Sequence, residues 1–149
     1  QQKGYDMVGL LLVSHGRIAE SFLEVSLEIV GPVKGVQVVS LAEPIDEEKV
    51  MEDIQKARKE IDQGEGILIL TDMFGGTPAN LCFSLLEDPM VEVLTGMNLP
   101  MILQILSSRK DASLPELAGI AMRCGRENIY LAREILEQRD KMSDANRTN

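Results

Sequence analysis

Two hydrophobic rhythms alternate along this chain, and that alternation restricts its fold more than any other feature. Met7 to Val13 (MVGLLLV) is a continuous apolar run of strand length, the pattern of a parallel strand covered on both faces. After Ser14, His15 and Gly16 the apolar residues return at helical spacing as Ile18, Phe22, Val25 and Ile29, with Glu20, Glu24 and Glu28 on another face. This predicts an amphipathic helix that buries the Ile18 to Ile29 stripe and ends before Gly31-Pro32. A second strand is predicted from Val36 to Leu41. A second helix follows Pro44, with Asp46, Glu47 and Glu48 at its N-terminus, where acidic groups complement the helix dipole. It buries Val50, Ile54, Ala57 and Ile61 and stops at Gly64.

Gly66 to Leu70 (GILIL) reads as a third strand, and Thr77-Pro78 as an N-cap followed by proline at the first helical position. Val91 to Leu94 is a fourth strand, and Pro100 to Leu106 and Leu114 to Cys124 are two more helices, the last closed by Gly125. Asn128 to Leu131 is expected to add a C-terminal antiparallel edge strand. The charged segment from Ala132 is expected to be helical at first and frayed at its end. The fold class is therefore α/β: one domain with a mainly parallel central sheet of four strands plus that edge strand, and helices on both faces. We place the domain at residues 5–131 and the charged tail at 132–149, and exclude Gln1 to Gly4 as a processed or added end.

Composition bears on partners and compartment. With 149 residues, one compact core is the default. No Trp, three Phe and two Tyr mean that this core is aliphatic and Met-rich. The formal charge of -9 opposes a nucleic-acid or anionic-membrane surface. No apolar run reaches the roughly 20 residues of a membrane helix, and no signal-like segment opens the chain. A cytoplasmic protein with protein or small-molecule partners is expected. Cys82 and Cys124 sit in helical patterns far apart, as free thiols of a reducing compartment.

In open α/β sheets the chemistry gathers at the carboxyl ends of the strands. Here those ends carry Ser14-His15-Gly16-Arg17 and Thr71-Asp72-Met73-Phe74-Gly75-Gly76-Thr77-Pro78, two loops that should lie side by side. A lone histidine is often only a packing or capping residue, and an isolated aspartate after a strand is often a turn residue. Their equivalent positions change the reading. His15 near a helix N-terminus favours a neutral, nucleophilic ring. Asp72 would accept a hydrogen bond from one ring nitrogen and leave the other free to attack. Gly75 and Gly76 before a helix offer backbone N–H groups to a phosphate. Thr77 caps the helix, donates to a phosphoryl oxygen, or does each in turn. Arg17 meets an anion or a partner's acidic group, or is a solvated surface residue. Phe74 is either part of a docking surface or a core contact.

The stretches GLLLVSHG, ILILTDMFGGTPANL and VEVLTGMNLPMIL resemble the mannose-type enzyme IIA domain of the bacterial phosphoenolpyruvate-dependent sugar phosphotransferase system. The likeness extends from about Met7 to Leu131. It implies a histidine phosphocarrier that accepts a phosphoryl group from the carrier HPr and passes it to a IIB protein for sugar uptake, without a metal ion or other cofactor. His15 matches the phosphorylated histidine, Asp72 the aspartate that orients it, and Thr77 and Asn80 the polar residues of the GG-[ST]-P-x-N turn. The resemblance also implies a homodimer that exchanges a C-terminal edge strand, for which Asn128 to Leu131 is the candidate. Phe74 stands where the family often has Trp. Without a linker and IIB domain after it, the chain is expected to use a separate acceptor.

Three other readings compete. A regulatory IIA domain would signal through the phosphorylation state of His15 without transport. A receiver-like domain phosphorylated on Asp72 would need an acidic pair after the first strand, where Ser14 and His15 stand. A phosphometabolite binder using Gly75-Gly76 lacks a G-x-G-x-x-G or Walker sequence.

Overall fold

A computed structural model of the chain describes residues 6–147. The expected domain start at Tyr5, the excluded Gln1 to Gly4, and the last two residues of the expected frayed end lie outside the described residues. Four strands, β1 (Gly9–His15), β2 (Val36–Leu41), β3 (Ile67–Thr71) and β4 (Val91–Thr95), form one parallel sheet in the order β2-β1-β3-β4. Six helices accompany them: α1 (Ile18–Val30), α2 (Glu47–Ile61), α3 (Gly76–Phe83), α4 (Leu99–Ser108), α5 (Leu114–Glu127) and α6 (Ala132–Arg147). A short 3₁₀ turn, Ser84–Glu87, follows α3.

The continuous apolar run is explained by β1 being central and covered twice. Successive strand side chains point to opposite faces. Leu10 and Leu12 of β1, with Leu68 and Leu70 of β3, pack with Ile102 and Ile105 of α4 and Leu117 and Ala121 of α5. Leu11 and Val13, with Ile67 and Ile69, pack with Ile54, Ala57 and Ile61 of α2 and Cys82 of α3. The result is a three-layer sandwich. Side-chain caps fix the helix starts: Asp46 accepts from the Lys49 N–H at 3.3 Å, Asn98 from Met101 at 3.1 Å, and Ser113 from Glu116 at 3.4 Å. Among the described residues, no helix is long and apolar enough to cross a membrane.

Three expectations are corrected. The first concerns the face of α1. Ile18, Val25 and Ile29 point outward, 40 to 56% exposed, while Ala19 and Ser26 are fully buried. Small side chains let the helix approach the sheet closely, and Ser26 satisfies its hydroxyl by donating to the Phe22 carbonyl at 2.7 Å. Secondly, α5 does not stop at Gly125 but runs to Glu127. A Cβ at Gly125 would stand 2.6 Å from Met101 Cε, so this glycine serves the contact with α4 and not a helix stop. Thirdly, the predicted edge strand does not form within the single chain. Asn128 to Leu131 pairs with no strand, Ile129, Tyr130 and Leu131 are exposed, and α6 follows with none of its residues buried.

Candidate functional site

The sheet order places the site. From β1 the chain moves outward to β2, then returns past β1 to β3 and on to β4, so the direction reverses between β1 and β3. Such a reversal opens a crevice at the carboxyl ends of the two strands. Val13 and Thr71 are register partners there, and the next residues on each side include His15 and Asp72.

One carboxylate oxygen holds the histidine twice. The His15 backbone N–H donates to Asp72 Oδ2 at 3.0 Å, and ring Nδ1 lies 2.7 Å from the same oxygen. An ionised carboxylate only accepts hydrogen bonds, so Nδ1 carries a proton, and in the neutral tautomer this leaves the lone pair on Nε2. Burial pushes the pKa of Asp72 up, but the ring and backbone hydrogen bonds from His15, with its charge attraction, outweigh that and hold it below the ordinary value of 3.8. Its other oxygen, Oδ1, is buried without a hydrogen-bond partner, so the contacts to Oδ2 carry most of the compensation for burying the carboxylate. Ser14 fixes the loop behind the ring: its hydroxyl accepts from the Ala19 N–H at 2.9 Å and donates to the His15 carbonyl at 3.1 Å.

The open edge of the imidazole faces the glycine turn. Gly76 has φ +81°, and a Cβ there would lie 3.2 Å from His15 Cε1 and 3.4 Å from Nε2. Glycine is thus required for two reasons, the left-handed backbone and the closeness of the ring. The side chain of His15 remains 43% exposed, against 9% for Asp72. The arrangement is an oriented, solvent-accessible nitrogen nucleophile beside the N-terminus of α3, where N–H groups and the helix dipole favour an anion.

Other predicted residues are placed less centrally. Thr77 is not the N-cap of α3: the cap is Gly75, with no side-chain cap bond. The positive φ angles of Gly75 and Gly76 turn the chain into the helix and put Thr77 inside its first turn. Asn80 lies further along α3 and is exposed, and no hydrogen bond ties it or Thr77 to His15. Arg17 is 80% exposed, with Nε 3.2 Å from Glu20 Oε2. Glu20 in turn accepts from the Ser40 hydroxyl at 3.1 Å, which links Arg17 to the end of β2. Phe74 is 77% exposed while its ring centre lies 5.9 Å from that of Phe83, so it combines a surface position with one packed edge. Cys82 is a buried free thiol whose pKa burial pushes up to about 12, and Cys124 is a half-buried one.

Two features of the site escaped the sequence. Ser14 stood next to His15 as an unremarked polar residue in an apolar strand. Ile18, Phe22 and Val25 of α1 form, with Arg17, Ser21 and Leu99, a mostly apolar cleft of about 560 Å³ that starts two residues from His15.

Residues 9–122 match the family model EIIA-man, described as the PTS system fructose IIA component. The chain is 28% identical over 133 residues to the PTS system fructose-specific EIIA component of Bacillus subtilis, covering 89% of this chain and 91% of that one. It is also 28% identical over 124 residues to the PTS system mannose-specific EIIAB component of Escherichia coli, covering 82% of this chain but only 38% of that longer protein. The crystal structure of phosphotransferase system component EIIA from Streptococcus agalactiae superposes with a TM-score of 0.77 at 25% identity, over 86% of this chain and 99% of that one. With the match running from β1 into α5, this chain belongs to the EIIA-man family of sugar phosphotransferase system components.

Proposed function

We propose that the chain is a phosphocarrier in which Nε2 of His15 takes a phosphoryl group from HPr and passes it to a IIB domain for sugar uptake. The observation that carries this reading is the 2.7 Å contact between Nδ1 and Asp72, which leaves Nε2 as the accessible nucleophile. In the transfer, the Nε2 lone pair forms a bond to phosphorus while the P–N bond to the donor imidazole breaks and its electron pair stays on the donor ring. The proton on Nδ1 stays in place. The His15 ring gains positive character as the bond forms, and the Asp72 carboxylate beside Nδ1 stabilises it. In this reading the equatorial oxygens of the phosphoryl group accept from N–H groups of the Gly75-Gly76 turn, a role supported by the closeness of Gly76 to the His15 ring. No proton has to leave the pair, so the same geometry serves transfer in either direction.

The apolar cleft on α1, with Arg17 in its lining, is the docking surface we assign to the carrier. A homodimer joined through residues 128–131 completes the reading: β4 has a free edge, and Ile129, Tyr130 and Leu131 are 64 to 75% exposed in the single chain. Incubation with phosphoenolpyruvate, enzyme I and HPr, followed by intact-mass analysis, tests the phosphocarrier role. The expected result is an acid-labile gain of one phosphoryl group that is absent from His15→Ala. No gain with active carriers overturns it.

A further inference from the structure

A second concentration of polar donors lies at the opposite, amino-terminal end of the strands. Arg109, the residue that ends α4, is only 3% exposed. Its guanidinium donates to the Gly35 carbonyl at 3.1 Å and to the Lys34 carbonyl. Among the described residues it has no carboxylate partner. Buried charges are normally paired, and burial pulls the guanidinium below its ordinary pKa, yet arginine does not give up its proton in a protein. The positive charge is therefore held by neutral carbonyls alone, with three of its five N–H groups beyond these two bonds.

This guanidinium lines a cavity of about 540 Å³, within the range of small-molecule sites. Lys34 and Lys110 also line it, against the single carboxylate of Asp6, so the wall carries an excess of positive charge in a chain of formal charge -9. Gln63 adds an amide donor. Its Oε1 is used by the Met7 N–H at 3.1 Å, and its Nε2 is left facing the space over Gly35. A Cβ at Gly35 would lie 3.5 Å from Gln63 Nε2 and 3.4 Å from the Arg109 guanidinium, which places these two donors side by side over Gly35. Met7 and Leu106 supply an apolar wall. Met7 precedes β1 and Gly35 precedes β2, whereas His15 ends β1, which separates the two sites by on the order of 20 Å along the strand.

We propose that this cavity binds a small organic anion, its phosphate or carboxylate on Arg109, Gln63 and the two lysines and its apolar part on Met7 and Leu106. The site is independent of the phosphocarrier reading. The test is a titration of the ¹⁵N-labelled full chain with phenyl phosphate, benzoate and, as the neutral control, benzyl alcohol. Saturable shifts of the Gly35 amide and the Gln63 side-chain amide are expected with one or both anions and not with the alcohol. Two arms separate a phosphate preference from a carboxylate preference. Because Arg109 also holds the segment before β2, the variant to use is Lys34→Gln with Lys110→Gln, both exposed positions. It should fold as before and bind about tenfold more weakly or worse. Shifts confined to the Gly75 to Thr77 turn, equal shifts with benzyl alcohol, no shift, or unchanged affinity in the double variant each overturn the proposal.

Discussion

His15 and Asp72 act as one unit, and the energetics of each depend on the other. Asp72→Asn replaces a charged acceptor with an amide that fixes the ring less well and does not balance its positive charge. Phosphorylation by HPr should fall by about a hundredfold or more, measured as the initial rate of mass gain, with little change in far-UV circular dichroism. The pH dependence has a definite sign. Asp72 titrates below 3.8 in the folded chain because of His15, so the ionised pair's contribution to stability is fully present above 3.8 and is lost as pH falls through the depressed value. A ¹³C titration of the Asp72 carboxyl should show this low midpoint. In His15→Ala burial remains and the partner is gone, so the midpoint should move up. Gly76→Ala should cost about 1–2 kcal/mol from the positive φ and displace the imidazole, slowing phosphorylation. The pairing was legible in the sequence because both residues directly follow apolar runs of strand length. The tie between Gly76 and the ring was not, since it depends on how two loops cross in space. The expected Thr77 cap failed because two consecutive positive-φ glycines shifted the helix start by two residues.

At the level of elements, α1 shows where periodicity runs out. Its sequence, IAESFLEVSLEIV, carries apolar residues on more than one face, and hydrophobicity alone favours the larger Ile18, Val25 and Ile29. The sheet instead accepts Ala19 and Ser26, because steric fit at close range outweighs the area a bulky residue buries. Ser26→Leu should therefore destabilise the fold by about 1–3 kcal/mol through overpacking, seen in urea denaturation. Val25→Lys should leave stability within about 0.5 kcal/mol of the parent while lowering kcat/KM for phospho-HPr. An unchanged kcat/KM would remove the α1 cleft as the docking surface. By contrast, the buried face of α2 was readable to the residue, since Val50, Ile54, Ala57 and Ile61 form a single stripe on an otherwise charged helix, although the helix ends at Ile61 with Asp62 as its cap and not at the expected Gly64. Gly125 misled because helix stop and close helix contact demand the same residue.

Across the whole molecule, the order of strands does the functional work: it creates one crevice between β1 and β3 and puts the only histidine at it. That order was not written in any single segment, although the alternation of elements restricted it. The C-terminal part belongs to another level of organisation. Because no residue of α6 is fully buried in the single chain and only Ile135 is half-buried, truncation after Leu131 should leave the unfolding free energy of the remaining domain nearly unchanged. Light scattering should give the mass of two chains, and truncation before Asn128 should give one. A single-chain mass for the full protein would remove the exchange. The role of Nε2 is tested most directly by NMR of the protein labelled with ¹⁵N in its one histidine and charged through phosphoenolpyruvate, enzyme I and HPr. A phosphoryl group on Nε2, with Nδ1 still protonated against Asp72, is the expected result; a phosphoryl group on Nδ1, or on Asp72 with the imidazole unmodified, would contradict it.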